Sequence, residues 1–504
     1  MLNLDTLYTD YARAQAYPES YKSGLEEEIR KSIGGGVAIA GYQTAAQADA
    51  ASEFSPLVPE ALDDIIGQVD FRAEQLEFFD WLPKKDTKNT VTTWMKTVEN
   101  GDPWLERALS EGLISVNDNG RNTRGSTKIK SYVETRELTD IQNAVPLAGG
   151  GANGVGVPSS ALAFQTTKGM LALHRALERD SMFGDATNNP NKIDGVQTQL
   201  KAAGQFTNMD GAQVTMEYLE DLVRTLQSAP YYGRPTDILV SPKIYTSLTK
   251  QQIAFGRRAM DGSSVTYGFD EKGGLVVLAG NQRIPVKPLV FQDNQADAPP
   301  AFGTVKENTA IGAPAPAYPV ISGGGDAPAA VAVAGGETSY FGAGDAGVYY
   351  YHVIAYSDAG AYSTMALTAG ANALTITAEA GKKNVFKIDD PTGATVLYYH
   401  IFRSRKGASA ADGKDVKKLQ FLFSVAKTVG GKTTVSDFNA VRNDCGSVMV
   451  LRRDPEEIVM YQLIKLFRKP LAQTRMSQPF ALFTACGLQV KVPEHQWLLT
   501  NVGY

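Results

Sequence analysis

The sequence predicts an α+β body interrupted by an all-β insertion, and three observations predict it. A polar, alternating stretch over residues 84–140 is followed by one long amphipathic helix over residues 159–185. Helical and buried-strand patterns then alternate over residues 216–290 and resume after Cys445. Between these two parts lie short alternating strands separated by turn residues, as in a small β-sandwich.

Size and charge set the outer limits. With 504 residues, 43% of them hydrophobic and 20% charged, the chain can form two or three domains with sizeable cores. The formal net charge of -5 argues against a dedicated nucleic-acid binder, whose affinity comes from neutralising phosphates. Two cysteines, Cys445 and Cys486, predict free thiols rather than a disulfide scaffold. Neither a secretory leader nor a membrane-spanning apolar run is expected from the pattern.

Residues 1–60 are predicted to form an N-terminal arm. Tyr21, Leu25 and Ile29 recur at helical spacing, with acidic residues turned to the opposite side. A glycine- and alanine-rich stretch joins this helix to the body, whose first part is expected over residues 61–304. We expect the arm to dock on a neighbouring subunit through these three residues.

The polar stretch over residues 84–140 is predicted to be an extended two-stranded ribbon without a core of its own. Two strands of roughly 20 residues would reach about 65 Å, whereas a body of about 350 residues has a radius of gyration near 20 Å. An isolated ribbon is marginal in water, so support from a neighbouring subunit is expected. Aromatic anchors are favoured at subunit contacts, although burial at the base of the ribbon is favoured for Trp81. The candidate contacts are Trp94, Trp104, Arg107, Arg121, Arg124, Lys128 and Lys130.

A glycine-rich hinge over residues 145–158 precedes the long helix, which Ser159 and Ser160 can cap. Leu162, Thr166, Gly169, Leu173 and Leu177 form one stripe along it. At about 25 residues the helix is roughly 37 Å long, enough to be the spine of a domain.

Beyond the spine, a helix is predicted over residues 216–228 and a buried strand over residues 237–240, with a Ser-Pro step into a second helix. Composition shifts near Ala298, and an inserted sandwich is expected over residues 305–445. Its strands are predicted over residues 349–356, 396–403, 419–425 and 433–438. The body is expected to resume over residues 446–504.

Three patterns that suggest chemistry have simpler interpretations. Gly149, Gly151 and Gly154 match a dinucleotide fingerprint, but no strand precedes them, so a hinge is favoured. Residues 426–433 match a relaxed phosphate-loop pattern, but strands flank them, so a hairpin turn through Gly430 and Gly431 is favoured.

The third pattern is the histidine pair His352 and His400. Strand histidines pack beside tyrosines more often than they bind a metal, and packing is therefore favoured here. The sequence contains neither an H-E-x-x-H nor a G-x-S-x-G motif. No catalytic residue, cofactor or metal is predicted, and the chain is not expected to be an enzyme.

The order of arm, ribbon, hinge, spine helix, Ile-Asp-Gly segment and closing strands resembles the major capsid proteins of tailed bacteriophages, the Hong Kong 97 type of shell protein. The residues that carry this resemblance are 84–140, 159–185, 193–196, 238–248 and 446–502. The insert resembles a fibronectin type III or immunoglobulin-like domain on the strength of residues 351–360, 399–404 and 435–437. Because the insert contains no Trp and no internal Cys, the antibody-type core is absent.

The resemblance implies a self-assembling icosahedral shell of hexamers and pentamers that encloses double-stranded DNA, in a virion assembled in the host cytoplasm. Implied partners are a separate scaffolding protein, a portal and a decoration protein, with only non-specific proximity to the packaged DNA and no membrane. A loop over residues 262–273 is expected at the local symmetry axis. Some relatives crosslink a ribbon lysine, but Lys128 and Lys130 are interpreted as solvated charges.

Two other functions remain open at this point. An encapsulin-like compartment that encloses protein cargo would share the shell fold. A carbohydrate-binding surface protein would instead use exposed tyrosines of the sandwich, for which Tyr349, Tyr351 and Tyr399 are the candidates.

Overall fold

A computed structural model of the chain describes residues 73–141, 161–256, 274–292 and 300–504, apart from short gaps within these ranges. The arm with Tyr21, Leu25 and Ile29, the hinge over residues 145–158 and the loop over residues 262–273 lie outside the described residues.

Helices and strands are numbered here in chain order. The described helices are α1 Phe78–Trp81, α2 Ala161–Phe183, α3 Val196–Ala202, α4 Met216–Gln227 and α5 Pro242–Gly256. The described strands are β1 Lys84–Asp86, β2 Val91–Glu99, β3 Arg121–Lys128, β4 Lys130–Thr139, β5 Phe206–Asn208, β6 Asp237–Val240, β7 Val276–Ala279, β8 Gln282–Pro288, β9 Val320–Ile321, β10 Ala329–Ala332, β11 Gly347–Ser357, β12 Leu374–Ala378, β13 Lys382–Asp389, β14 Val396–Ser404, β15 Leu419–Ala426, β16 Thr433–Asp437, β17 Cys445–Leu451, β18 Ile458–Pro470, β19 Ser477–Val490 and β20 Trp497–Gly503.

The spine helix α2 packs on a four-stranded sheet with the order β1-β18-β19-β4. Gly169, Leu173 and Leu177 are buried along α2, as the predicted stripe requires. A Cβ at Gly169 would lie 2.7 Å from Cδ1 of Leu482, so helix and sheet approach closely at this glycine. The predicted spine is therefore confirmed, within two residues at each end.

The predicted ribbon is too long, and the structure corrects it at both ends. β1 pairs in parallel with β18, and β4 pairs with β19 along its whole length. The reason is that alternate residues of β4 face the spine, where Leu138 is buried and Tyr132 packs on the core. Only β2 and β3 form a separate two-stranded ribbon, and strands of nine and eight residues reach about 30 Å.

A six-stranded sheet with the order β5-β20-β17-β6-β8-β7 forms the second part of the body. Helix α4 begins after Thr215, whose hydroxyl accepts a hydrogen bond from the Tyr218 N–H. Its inward residues are the predicted ones, Leu219, Leu222, Val223 and Leu226. Strand β6 is buried along its whole length at the middle of the sheet, as predicted.

Between β8 and β17 the chain forms two further four-stranded sheets. One has the order β12-β11-β14-β15, and in the other β13 is paired by β9, β10 and β16. Side chains of both sheets share one apolar core, which includes Tyr351 of β11, Phe386 of β13 and Val435 of β16. The likeness of this two-sheet insert to a fibronectin type III or immunoglobulin-like domain stays a prediction.

The turn at Gly430 is not a hairpin. β15 pairs with β14 whereas β16 pairs with β13, so the turn carries the chain from one sheet to the other. Gly430 has a φ of 75°, which glycine adopts without strain. Since a strand and not a helix follows, the arrangement lacks the helix N-terminus that a phosphate loop needs.

The three tyrosines predicted as surface candidates on the insert are buried, which corrects that prediction. Tyr349 is 3% exposed, and Tyr351 and Tyr399 are fully buried. All three point between the two sheets, where the Tyr351 hydroxyl donates to Asp437 at 2.7 Å and the Tyr349 hydroxyl donates to the Asp345 carbonyl. They cannot form a glycan-binding face.

The buried carboxylate of Glu178 on the spine helix holds the segment that leads into the ribbon. It accepts hydrogen bonds from the N–H groups of Phe78 at 2.9 Å and Phe79 at 2.6 Å, at the start of α1. Phe78 and Trp81 stack beside it, and Trp81 is buried as predicted. Burial raises the pKa of Glu178 to about 6, although these two hydrogen bonds oppose the rise.

This raised pKa predicts how stability depends on pH. Between the unfolded value of 4.5 and about 6 the folded chain binds one proton more than the unfolded chain, so the contribution of Glu178 to stability is present at low pH and lost as pH rises through 6. We expect wild type to gain about 2 kcal/mol over Glu178→Gln between pH 7 and pH 4. Denaturant unfolding of both proteins across this range measures the difference, and a constant difference would contradict the prediction.

Candidate intersubunit surface

The ribbon of β2 and β3 has two unlike faces. Its register pairs Val91 with Lys128 and Met95 with Arg124, and these four side chains are exposed on one side, here called the open face. Met95 is 76% exposed, which is unusual for a large apolar side chain beside two cations. The open face thus offers apolar contact area between positive charges and has no partner among the described residues of the chain.

The other face of the ribbon is turned towards its own body. Trp94 lies on it, half-buried, and its ring covers Gly125 on β3, where a Cβ would come within 2.3 Å of the ring. On the same face, the ammonium group of Lys96 pairs with Glu494, which precedes β20. Trp94 therefore packs within the ribbon, and Gly125 is needed for that close approach.

The tip of the ribbon presents Trp104 to solvent. Asp118 organises the tip by accepting hydrogen bonds from the N–H groups of Asp102 and Gly120 and by pairing with Arg107 at 3.3 Å. The side chain of Asp102 accepts from the Trp104 N–H, which fixes the backbone under the indole. Trp104 is 92% exposed, so this large apolar side chain makes little contact with the described part of the chain.

A second exposed apolar surface lies on the sheet that carries the spine, on the side away from α2. Val133 of β4, Phe483 of β19 and Phe467 of β18 stand in one row across three strands. The rings of Phe467 and Phe483 meet edge to face, 5.7 Å apart, and Val133 is more than half exposed. At the far end of the same sheet Met476 is almost fully exposed. Rows of this kind mark interaction surfaces; this one is here called the outer sheet face.

The structure distributes the other candidate contacts unevenly. Arg121 is exposed and pairs in register with Glu99 at the end of the ribbon. Arg107 donates a hydrogen bond to the Asp102 carbonyl within the tip. The ammonium group of Lys130 donates to the Pro190 carbonyl, so Lys130 binds within its own subunit. Arg124 and Lys128 alone among the cationic candidates lie on the open face. Sequence reasoning missed Met95, whose place in the alternation of β2 was the available signal.

A buried ionic network lies under the spine. Asp180 accepts hydrogen bonds from Lys192 at 3.0 Å and from the Tyr132 hydroxyl at 3.1 Å, and the same hydroxyl accepts from the Ile193 N–H. Burial opposes its charge, yet Lys192 and Arg179 hold the pKa of Asp180 below its usual range. The next residues, Asp194 and Gly195, close the turn tightly, since a Cβ at Gly195 would lie 2.6 Å from the Met182 backbone. The network fixes β4, and with it the ribbon's root, to the spine.

Among the described residues, neither this surface nor the insert shows a catalytic arrangement. His400 packs 4.4 Å from the Tyr356 ring and shares a hydrogen bond with Ser424, and the Nε2–H of His352 donates to the Gly413 carbonyl. Burial lowers the pKa of both histidines. Within the described residues, no group of three or more His, Cys, Asp or Glu side chains could hold a metal. No described helix is both long and apolar enough to span a membrane.

Comparison with known proteins finds a relative over the full length of the chain. It is 23% identical over 506 residues to a "Putative major capsid protein" of Enterococcus phage phiEF24C, and the match covers 96% of this chain and 97% of that protein. No family model matches the chain.

The solved structures to which the chain is similar include three capsids. They are the capsid of a native GTA particle (TM-score 0.40, 10% identity, 92% of this chain and 100% of that chain), of Myoviridae Phage XM1 (0.38, 9%, 92% and 100%) and of the cyanophage P-SCSP1u (0.39, 10%, 94% and 98%).

The sequence match spans nearly the whole of both chains. This chain is therefore similar, from end to end, to a phage protein named as a putative major capsid protein.

Proposed function

We propose that this virion protein assembles through its ribbon into a closed icosahedral shell of hexamers and pentamers around double-stranded DNA. The single observation that carries the proposal is a ribbon whose open face, with Met95 and Val91, has no partner among the described residues of its own chain. Its role is containment, and no catalytic step is part of the proposal.

In this proposal the ribbon lies over a neighbouring subunit, and its open face contacts the outer sheet face of that subunit. The open face and the row of Val133, Phe467 and Phe483 are different patches of the same chain, so a contact between them is head-to-tail. Contacts of this kind close into rings when the rotation allows, as hexamers and pentamers require. Burying Met95 alone would contribute about 1.5–3 kcal/mol per contact.

The remaining contacts belong to the same proposal. The N-terminal arm with Tyr21, Leu25 and Ile29 clasps a second neighbour, and the loop over residues 262–273 meets its copies at the local symmetry axis. A separate scaffolding protein, a portal and a decoration protein complete the particle. A net charge of -5 fits a shell that encloses DNA without binding its phosphates tightly, because tight binding would require an excess of cationic residues.

An encapsulin-like compartment would use the same contacts around protein cargo. Electron microscopy of purified particles distinguishes the two by their contents, DNA or protein. A glycan-binding function has no support, because the tyrosines that it needs are buried.

A pair of matched substitutions tests the ribbon contact. Met95→Asp places a charge at the centre of the open face, and we expect the assembled fraction to fall at least tenfold, since each contact loses about 1.4 kcal/mol or more. Val429→Asp makes the same kind of change at a residue of the insert that is 96% exposed, and assembly should be unaffected. Sedimentation with electron microscopy measures both, and equal yields would refute the ribbon contact.

A further inference from the structure

The turn between β18 and β19 exposes apolar side chains at the far end of the outer sheet face. This turn and the strand residues beside it, residues 468–479, are here called the hairpin end. Met476 is 88% exposed and Leu471 is 36% exposed. The Met476 carbonyl accepts a hydrogen bond from the Asp140 N–H, which ties the turn to the end of β4. Apolar side chains exposed at a position fixed in this way are typical of a contact surface.

The hairpin end is cationic, whereas the tip of the ribbon is acidic. By sequence, residues 468–479 carry three cationic side chains and no acidic one. Residues 100–120, which join β2 to β3, carry four acidic side chains and one cationic side chain. Opposite charges on two segments favour a contact between them and help to fix its register.

Two cations of the hairpin end have no carboxylate partner among the described residues. Lys469 is exposed on the outer sheet face, in register with Ala481. Arg468 is exposed on the opposite side, where its guanidinium group lies over the Phe480 ring. Two carboxylates are near, Glu137 on β4 and Asp140 after it, and Glu137 accepts a hydrogen bond from Ser477. Counting both carboxylates still leaves the hairpin end with an excess of one positive charge.

The tip of the ribbon presents apolar side chains among its acidic ones. Its one cation, Arg107, pairs with Asp118, so the charge of Arg107 is used within the tip. Asp102 is exposed. Trp104 is 92% exposed and Leu109 is 41% exposed. The tip therefore offers apolar contact area and negative charge together, the complement of the hairpin end.

The spacing of the apolar patches fits a single direction of the ribbon. Met95 lies four residues before the end of β2, about 13 Å, and Trp104 lies beyond that end. On the sheet, Phe483 lies six residues from Ser477 at the start of β19, about 20 Å, and the turn lies beyond it. A ribbon whose Met95 rests on Phe483 can therefore bring its tip to the hairpin end. The opposite end of the sheet is where β1 and β4 lead into the neighbour's own ribbon.

We propose that the tip of the ribbon docks on the hairpin end of a neighbouring copy of this chain, with Trp104 against Leu471 and Met476 and the acidic tip beside Lys469. This docking rests on the contact proposed above between the open face and the outer sheet face, and it sets the direction and register of that contact. Tryptophan is favoured as an anchor at protein interfaces, and a thioether packs well against an aromatic ring.

Pairs of introduced cysteines test the docking in assembled particles, because both native cysteines are buried. Ala108→Cys in the tip and Ala472→Cys in the hairpin end leave Trp104 and Met476 in place. After mild oxidation with copper phenanthroline, we expect a ladder of disulfide-linked subunits in a denaturing gel. Ala108→Cys combined with Val429→Cys, at an exposed residue of the insert, should remain monomeric.

A second pair separates the tip contact from the ribbon contact on which it depends. Thr93→Cys lies on the open face next to Met95, and Ser131→Cys lies on the outer sheet face next to Val133. A ladder from this pair without one from the tip pair would refute the tip contact and leave the ribbon contact intact. Absence of both ladders would refute the ribbon contact as well. Equal ladders from the tip pair and the Val429 control would show that the tip reacts without specific docking.

A charge reversal tests the same contact without cysteines. Lys469→Glu places a carboxylate beside the acidic tip, and we expect the assembled fraction measured by sedimentation to fall at least tenfold. Lys382→Glu makes the same reversal on the insert and should leave assembly unchanged. Equal yields from the two reversals would refute the pairing of charges across this contact.

Discussion

Removal of the ribbon should abolish particles and leave a folded, soluble subunit. The Thr90 carbonyl accepts a hydrogen bond from the Ile129 N–H at 2.9 Å, which is the bond that closes a β-turn. Residues 91–128 can therefore be replaced by Asn-Gly, the preferred two-residue hairpin turn, without moving β1 or β4. An ion pair between Lys96 and Glu494 joins the ribbon to the rest of the chain. Because a partly exposed ion pair contributes little free energy, the body should lose little stability when the ribbon is removed.

Two measurements are needed to interpret that deletion. Sedimentation and electron microscopy report whether shells form, and amide exchange in α2 and β19 reports whether the subunit remains folded. We expect no shells and unchanged protection. Shells of normal size from the shortened chain would show that the ribbon is dispensable, and the proposed contact with a neighbouring subunit would then fail.

Local patterns were sufficient to predict much of the body. The spine was predicted at residues 159–185 and is found at Ala161–Phe183, because its apolar residues recur with the helical period. Strand β6 has the predicted bounds because it is a short apolar run followed directly by a Ser-Pro step. The ribbon was predicted too long because the pairing of β4 with β19 joins residues more than 330 positions apart. Pairing at such a distance leaves no local signal.

The candidate surface was predicted less completely for the same kind of reason. Alternation along β11 places Tyr349 and Tyr351 on one side of the strand and Tyr350 on the other. The alternation does not show which side packs against a second sheet. In the structure it is the side that carries Tyr349 and Tyr351. Phe467 was missed because register shifts between Gln462 and Phe467 break the alternation of β18. The open face of the ribbon was partly found, since Arg124 and Lys128 were among the candidates and Met95 was not.

The largest stability effect within the subunit is expected at Arg403. Its guanidinium group and the Asp437 carboxylate are both almost fully buried and lie 2.6 Å apart, and Asp437 also accepts from the Tyr351 hydroxyl. Arg403→Met leaves the carboxylate buried without a charged partner, which costs about 3–5 kcal/mol. The neighbouring pair of Arg405 and Asp444 is about half exposed, so Arg405→Met should cost less than about 1 kcal/mol. Amide exchange in β11 and β14 measures both locally.

A double substitution separates the charge from the packing. If the cost of Arg403→Met comes from the uncompensated carboxylate, adding Asp437→Asn should restore part of the lost protection, because the buried charge is gone while an acceptor for the Tyr351 hydroxyl remains. If it comes instead from the volume of the arginine and its contact with the Tyr349 ring, 5.0 Å away, the second substitution should add to the loss. Recovery is the expected result, since Arg403 is the one cation that contacts Asp437 among the described residues.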